Sequence, residues 1–338
     1  MISIILTVLA VSSCKQPDSN PHTFSRVDIQ SIFEDSLLNV RAITLNNTEL
    51  VAVSSIGDVF RFNLDQNNIF KHRFFSDSLN IRSLALVKND LFTMSIGSPA
   101  LLHKNSELVY SESHPDAFYD SMAFWNRDEG IAMGDPTEDC LSILITRDGG
   151  QHWDKIPCSK LPKVMEGEAA FAASDTNIKI LGNRVWIASG GTVSRIFYSP
   201  DKGNSWTVFK TPIVQGMPTA GLYSIDFYDS NNGIGIGGDY TQPKAKLNTA
   251  ILTKNGGKTW SAVDQETSPG YRSCVQYIPN SEARGVVAVG FEGIDYSADG
   301  GQTWNSLSKE GFYTFRFLND SIAFAAGRGR ISKLIFKK

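Results

Sequence analysis

The chain has 338 residues, of which 41% are apolar and 11% aromatic, with 28 glycines against 13 prolines; that is enough apolar surface for a sizeable core, with much turn chemistry. Its 32 basic and 35 acidic residues leave a net charge of −3, and no long run of like charge occurs, which argues against a nucleic-acid groove or a polybasic membrane face. Length alone allows either two ordinary domains or one large repeat domain.

The first feature in chain order is a targeting segment. Residues Ile2 to Val11 are mostly apolar, too short to span a bilayer and the right length for the apolar stretch of a signal peptide. The stretch ends in Val11-Ser12-Ser13-Cys14, which resembles the lipobox of bacterial lipoproteins. That resemblance implies acylation of Cys14, with the polar stretch behind it tethering a domain to the periplasmic or outer-surface face of a membrane. An ordinary secretory signal is the other reading. Residues 1–14 are therefore expected to be the signal segment, 15–22 a flexible tether and 23–338 a single folded domain.

From there the pattern repeats. Short strands are expected to begin near Arg41, Arg82, Asp120, Glu168, Tyr223, Arg272 and Tyr313. Each opens a unit of strand, turn, Gly-ended apolar strand, loop and further strand, and the spacing is about 45 residues, the size of a four-stranded propeller blade. No helical periodicity is visible. The last unit has only three recognisable strands, while Phe24-Ser-Arg-Val-Asp-Ile29 is a spare one before the first unit. The expectation is an all-β, seven-bladed β-propeller of four-stranded antiparallel blades, closed by that N-terminal strand so that no sheet edge stays open.

Four units end in a common motif: Thr146 to Trp153, Ser199 to Trp206, Thr253 to Trp260 and Ser297 to Trp304, all Ser/Thr-x-Asp-x-Gly-x-x-Trp except for Asn255 in the third. The Asx side chains (Asp148, Asp201, Asn255, Asp299) can accept hydrogen bonds from the turn's own N–H groups, and the glycine can take a positive φ. The tryptophan then covers apolar surface. This motif resembles the Asp-box, or bacterial neuraminidase repeat, and the resemblance implies a structural role on hairpins away from the functional face.

Cys140 and Cys158 lie symmetrically about Gly149 in a hairpin turn, which leaves two readings open: a disulfide in an oxidising compartment, or two separate buried thiols. Cys274 reads as core. With no CxxC, no HExxH, no dinucleotide fingerprint, no P-loop and scattered histidines, neither metal nor cofactor is expected.

In a propeller the start of each first strand and the loops between second and third strands open on one face. Those positions make Arg41, Arg82, Asp120, Glu168, Tyr223, Arg272 and Tyr313, with Asp135 and Asp239 from loops, the candidate ligand-binding funnel. Three guanidiniums there would hold a carboxylate or sulfate bidentately; the plainer reading is a water-filled channel whose charges pair among themselves. Sialidases resemble the chain in their Asp-boxes, and a hydrolase would use Asp120 or Glu168 with Tyr223 or Tyr313; the Arg-Ile-Pro segment of that family is absent. Over the whole domain the chain is more similar to the photosystem II stability/assembly-factor-like group of propellers, which implies a non-enzymatic binding scaffold. The expected function is binding of a protein or anionic glycan partner, with no nucleic acid and with membrane contact only through the lipid; a sialidase-like glycoside hydrolase is the alternative.

Overall fold

The computed structural model describes residues 23–66, 68–73 and 79–338; the signal segment, Cys14 and the tether through residue 22 lie outside the described residues. Antiparallel β-meanders make up the fold, and one short 3-10 turn, Cys158–Lys160, is the helical element among the described residues. Four-stranded sheets are formed by Ile81–Val87 through Glu107–Glu112, by Tyr119–Phe124 through Asp154–Lys155, by Ile178–Leu181 through Thr207–Lys210 and by Cys274–Tyr277 through Asn305–Ser308. Another contains Ala220–Phe227, Gly233–Asp239, Ala250–Thr253 and Ser261–Ala262, extended by the two-residue strands Glu168–Ala169 and Gly190–Gly191.

The remaining strands share one sheet because the strand Arg26–Leu45 serves two meanders. Its first half runs antiparallel to Arg328–Lys337, from Arg26 opposite Lys337 to Glu34 opposite Arg330. Its second half pairs with Glu49–Ser54, from Val40 opposite Ser54 to Leu45 opposite Leu50. Residues 24–29 thus supply the outer strand beside the C-terminal meander, as expected. Phe24 packs there on Phe336 and Tyr296, with ring centroids 5.3 and 5.2 Å away.

Each junction between successive sheets is filled by its own apolar cluster, for example Ile131, Met133 and Ile143 against Val185, Ile187 and Phe197. The alternating strands bury one face against the sheet before and the other against the sheet after, so both faces are apolar and the inner strands read as near-continuous Ile, Val, Ala and Phe. The four tryptophan hairpins close the outer ends of these junctions. In the first, Asp148 Oδ1 accepts from the Thr146 hydroxyl at 3.0 Å and from the His152 N–H at 3.1 Å, while the Thr146 hydroxyl accepts the Gly150 N–H at 2.9 Å. The other three copies repeat the pattern, Asn255 included, whose Oδ1 accepts the Thr259 N–H at 3.0 Å.

Gly150 has φ +76°, and a Cβ there would stand 2.2 Å from the Phe92 ring of the preceding sheet. Backbone conformation and close approach both demand glycine. Trp153 packs over Phe92 and Phe124, so the tryptophan covers the preceding sheet as well as the start of its own outer strand.

One expectation is corrected. The fourth unit does not begin its inner strand at Glu168; that strand is Ile178–Leu181, and residues 170–177 run between the other sheets. Polar residues in that stretch find their partners there. Asp175, at φ +57°, accepts the Leu84 and Met122 N–H groups at 3.1 and 3.4 Å. The Ser174 hydroxyl donates to Ser273 O at 2.6 Å, the Thr176 hydroxyl donates to Ser224 Oγ at 2.7 Å, and Ser174 O accepts from Thr314 Oγ1 at 2.8 Å. One segment is thereby tied to the inner strands of several other sheets. Of the two readings left open for the cysteines, the disulfide holds: Cys140 and Cys158 are bonded with Cα atoms 5.4 Å apart, just outside the hairpin strands Ser142–Thr146 and Asp154–Lys155 that they flank.

This bond closes a loop of sequence separation 18, for which chain entropy predicts a contribution of about 3 kcal/mol. The Cys140→Ser/Cys158→Ser variant should lose about that much stability in urea unfolding, with a lower midpoint and a somewhat steeper slope, because the released unfolded chain exposes more surface. An unchanged midpoint would show that the bond does not constrain the unfolded chain.

Candidate functional site

Residues 170–173 of the 170–177 segment are the floor of a cavity of about 530 Å³. Ala170, Phe171, Ala172 and Ala173 lie beneath it, and its walls carry Arg41, Arg82, Tyr313, Tyr223, Tyr271, Tyr240, Phe291, Phe118 and Asp135. Five of the sequence-designated funnel residues therefore meet: Arg41, Arg82, Asp135, Tyr223 and Tyr313.

The two arginines come from strands Arg26–Leu45 and Ile81–Val87. Arg41 stacks on the Tyr313 ring with its guanidinium carbon 4.1 Å from the centroid, and its buried Nε has no hydrogen-bond partner. Arg82 donates to Asn80 Oδ1 at 3.3 Å and to Ala172 O at 3.5 Å. Burial, reinforced by the charge of Arg41, lowers the Arg82 pKa to about 10, with Asp120 and Tyr313 opposing. Neither guanidinium takes part in a salt bridge among the described residues.

The other candidates are withdrawn from the cavity. Asp120 is 0% exposed, and both its oxygens lack a hydrogen-bond partner; burial and the nearby Asp135 push its carboxyl well above the usual range, against the pull of Arg82. Glu168 is buried in a fork with Arg195, Nη2 to Oε2 2.5 Å, and accepts from Ser189 Oγ at 2.6 Å. Arg272 is closed by Asp295 at 2.5 Å and by Tyr271 O at 2.6 Å. Asp239 holds its own turn by accepting the Thr241 N–H at 2.9 Å. A funnel of nine polar side chains is thus corrected to a smaller, mostly aromatic cavity with two guanidiniums. Of the pairing partners, Arg195 comes from a different sheet from Glu168, and Asp295 comes from the third strand of the sheet whose first strand follows Arg272; chain spacing gave no sign of either.

Asp135 accepts the Ala170 N–H at 2.7 Å, and burial pushes its carboxyl up to about 6 against that hydrogen bond. Phe171 stacks on Tyr223 with centroids 3.9 Å apart and parallel rings, and Tyr271 meets Tyr223 edge-on at 4.8 Å. The Tyr223 hydroxyl donates to Thr219 O at 2.8 Å. Tyr240, Tyr271, Phe118, Phe171 and Phe291 were not in the sequence-designated set. Tyr240 and Tyr271 sit beside Asp239 and Arg272, two of the residues designated for this face, so the signal was the aromatic neighbour of a polar position.

No family model and no curated protein matches the chain. Solved structures do match its fold. YCF48 bound to D1 peptide superposes with a TM-score of 0.63 at 11% identity, over 93% of this chain and 98% of that one. YCF48 from Cyanidioschyzon merolae gives a TM-score of 0.65 at 12% identity, over 92% and 99%. The RRP9 WD40 repeats give 0.63 at 8% identity, over 93% and 98%. Together with the four-stranded antiparallel sheets, these likenesses define the class: the chain is a β-propeller.

Beneath the cavity floor, burial raises the Asp175 carboxyl from 3.8 to about 7, with Arg316 opposing. A raised carboxyl pKa means that the folded state holds its proton more tightly than the unfolded chain. The resulting stabilisation is present at low pH and is lost as pH rises through the folded pKa. Between pH 5 and pH 8 the wild type should therefore lose about 2 kcal/mol relative to Asp175→Asn. Urea midpoints of both proteins at the two pH values check this; a difference that does not vary with pH speaks against it.

Proposed function

We propose that this chain is a binding scaffold that holds a segment of a protein partner in the cavity, and that it is not a glycoside hydrolase. The observation that carries the reading is the pair of guanidiniums, Arg41 and Arg82, lining one aromatic cavity without an ion-pair partner among the described residues. Two like charges that face a partly desolvated space favour an anionic group between them. The candidate hydrolytic groups are poorly suited to chemistry. Asp120 has no exposed surface, Glu168 is closed by Arg195, and burial together with Tyr271 raises the Tyr223 phenol well above its ordinary pKa. YCF48 has been solved with a D1 peptide bound, and a comparable use of the same fold supports choosing a protein over a glycan.

In this reading the sheets form a seven-bladed ring closed by residues 24–29, its outer hairpins are Asp-boxes, and the ring belongs with the photosystem II assembly-factor-like propellers rather than with the sialidases. Support comes from the pairing of Arg26–Leu45 with Arg328–Lys337 and from the four repeated hairpins. The domain is exported and held at an extracytoplasmic membrane face by acylated Cys14. The Cys140–Cys158 bond supports that location, because such bonds persist mainly in oxidising compartments.

Two measurements test the proposal. A photo-reactive side chain at position 240 should crosslink a defined protein in cells, and Arg41→Gln/Arg82→Gln should abolish that crosslink. A fluorogenic glycoside panel, sialosides included, should show no turnover; turnover that disappears in Glu168→Gln or Tyr313→Phe would establish the hydrolase instead. Independently, metabolic labelling with an alkyne fatty acid should mark the full chain and fail to mark Cys14→Ala. Equal labelling of the two would place the anchor elsewhere.

A further inference from the structure

The cavity is polarised. Its guanidiniums come from two consecutive sheets, those of Arg41 and Arg82, and are flanked by Tyr313 from the C-terminal meander. Its aromatic wall comes from two other consecutive sheets: Tyr223 and Tyr240 from one, Tyr271 and Phe291 from the next.

That wall continues outward as exposed apolar surface. Tyr240 is 47% exposed and Phe291 39%, although both line the cavity, and Tyr271 beneath them touches Phe291 with centroids 5.1 Å apart. Leu247, in the loop that carries Tyr240, and Met217, in the loop before Ala220–Phe227, are 60% and 47% exposed, and these two loops are joined by a Val214 N–H to Asn248 O bond of 2.9 Å. Tyr240 and Phe291, large apolar side chains exposed where they line a cavity, mark an interaction surface. A volume of about 530 Å³ lies within the range of small-ligand pockets and admits a few side chains rather than a folded surface.

We infer that the cavity selects an extended polypeptide segment in which a carboxylate side chain and a large apolar side chain lie within a residue or two of each other, the carboxylate between Arg41 and Arg82 and the apolar group on Tyr240, Tyr271 and Phe291. The inference rests on the binding function proposed above and specifies its ligand. An extended segment fits because successive side chains then point to opposite sides, which can serve the two separate halves of the cavity at once. A planar guanidinium takes a carboxylate bidentately, and a desolvated aromatic wall supplies the larger share of the contact area.

The test uses the full chain in detergent and four fluorescein-labelled octapeptides on a Gly/Ser background, read by fluorescence anisotropy. One peptide carries a central Asp-Phe pair, and the others Asn-Phe, Asp-Ser and Asn-Ser. Asp-Phe should bind at least tenfold more tightly than either single-feature peptide. Arg82→Gln should erase the preference for Asp over Asn while keeping that for Phe over Ser; Arg82→Lys should restore it in part. Tyr240→Ser/Phe291→Ser, at two exposed positions, should do the reverse.

If Asp-Ser binds as tightly as Asp-Phe and still responds to Arg82→Gln, the two-feature ligand is wrong while the binding function stands. If no peptide binds, both fall. Trigalacturonate binding as tightly as Asp-Phe would overturn the polypeptide assignment in favour of an anionic glycan.

Discussion

The Asp175 carboxylate, buried between strands of different sheets, is the constraint on which the functional face depends. Its two oxygens accept the N–H groups of Leu84 and Met122, and its own carbonyl accepts from Arg316 Nη2 at 3.1 Å. Inner propeller strands must leave some backbone groups pointing inward, and buried N–H groups without partners are costly. Residues 174–176 provide such partners through one short segment. Because Ala170 to Ala173 continue directly from it, the same bonds fix the height and shape of the cavity floor.

The electrostatics follow from the same geometry. Asp120 and Asp175 are buried, Asp135 partly so, and all three are raised above the ordinary carboxylate range, while Glu168 and Asp295 are engaged by Arg195 and Arg272. The negative charge of Asp120, Glu168 and Asp295 is therefore withdrawn from the cavity, whose charged lining is Arg41, Arg82 and Asp135. An anion entering the space meets two guanidiniums, one of them already stacked on Tyr313. A site organised this way is suited to holding a group in place. Proton transfer would require an accessible carboxyl near the cation pair; among the described residues Asp135 is the carboxyl that lines the cavity, and one of its oxygens is spent on the Ala170 N–H.

The hairpins with the repeated tryptophan serve four of the units. A hydroxyl, an Asx side-chain oxygen and a glycine at positive φ complete the turn locally, and the glycine's missing side chain lets Phe92, Ile145, Trp186 or Ile234 of the preceding sheet come close. Local chemistry and inter-sheet packing agree at these positions, so a motif of eight residues is recognisable in sequence.

The sequence by itself determined the all-β class, the tryptophan hairpins and the N-terminal strand lying beside the C-terminal meander, because each is written in local spacing or in the periodicity of buried side chains. It also pointed to Arg41, Arg82, Tyr223 and Tyr313, from the starts of four units, and to Asp135, from a loop, and these meet at one cavity. Tertiary structure alone decided which of the candidate charges face the cavity. Arg195 closes Glu168 from another sheet, and Asp295 closes Arg272 from two strands away, and no spacing along the chain encodes either meeting. The crossing of residues 170–177 was equally illegible, because Ser174, Asp175 and Thr176 have the composition of a surface loop and are buried only because several other sheets offer them hydrogen-bond partners.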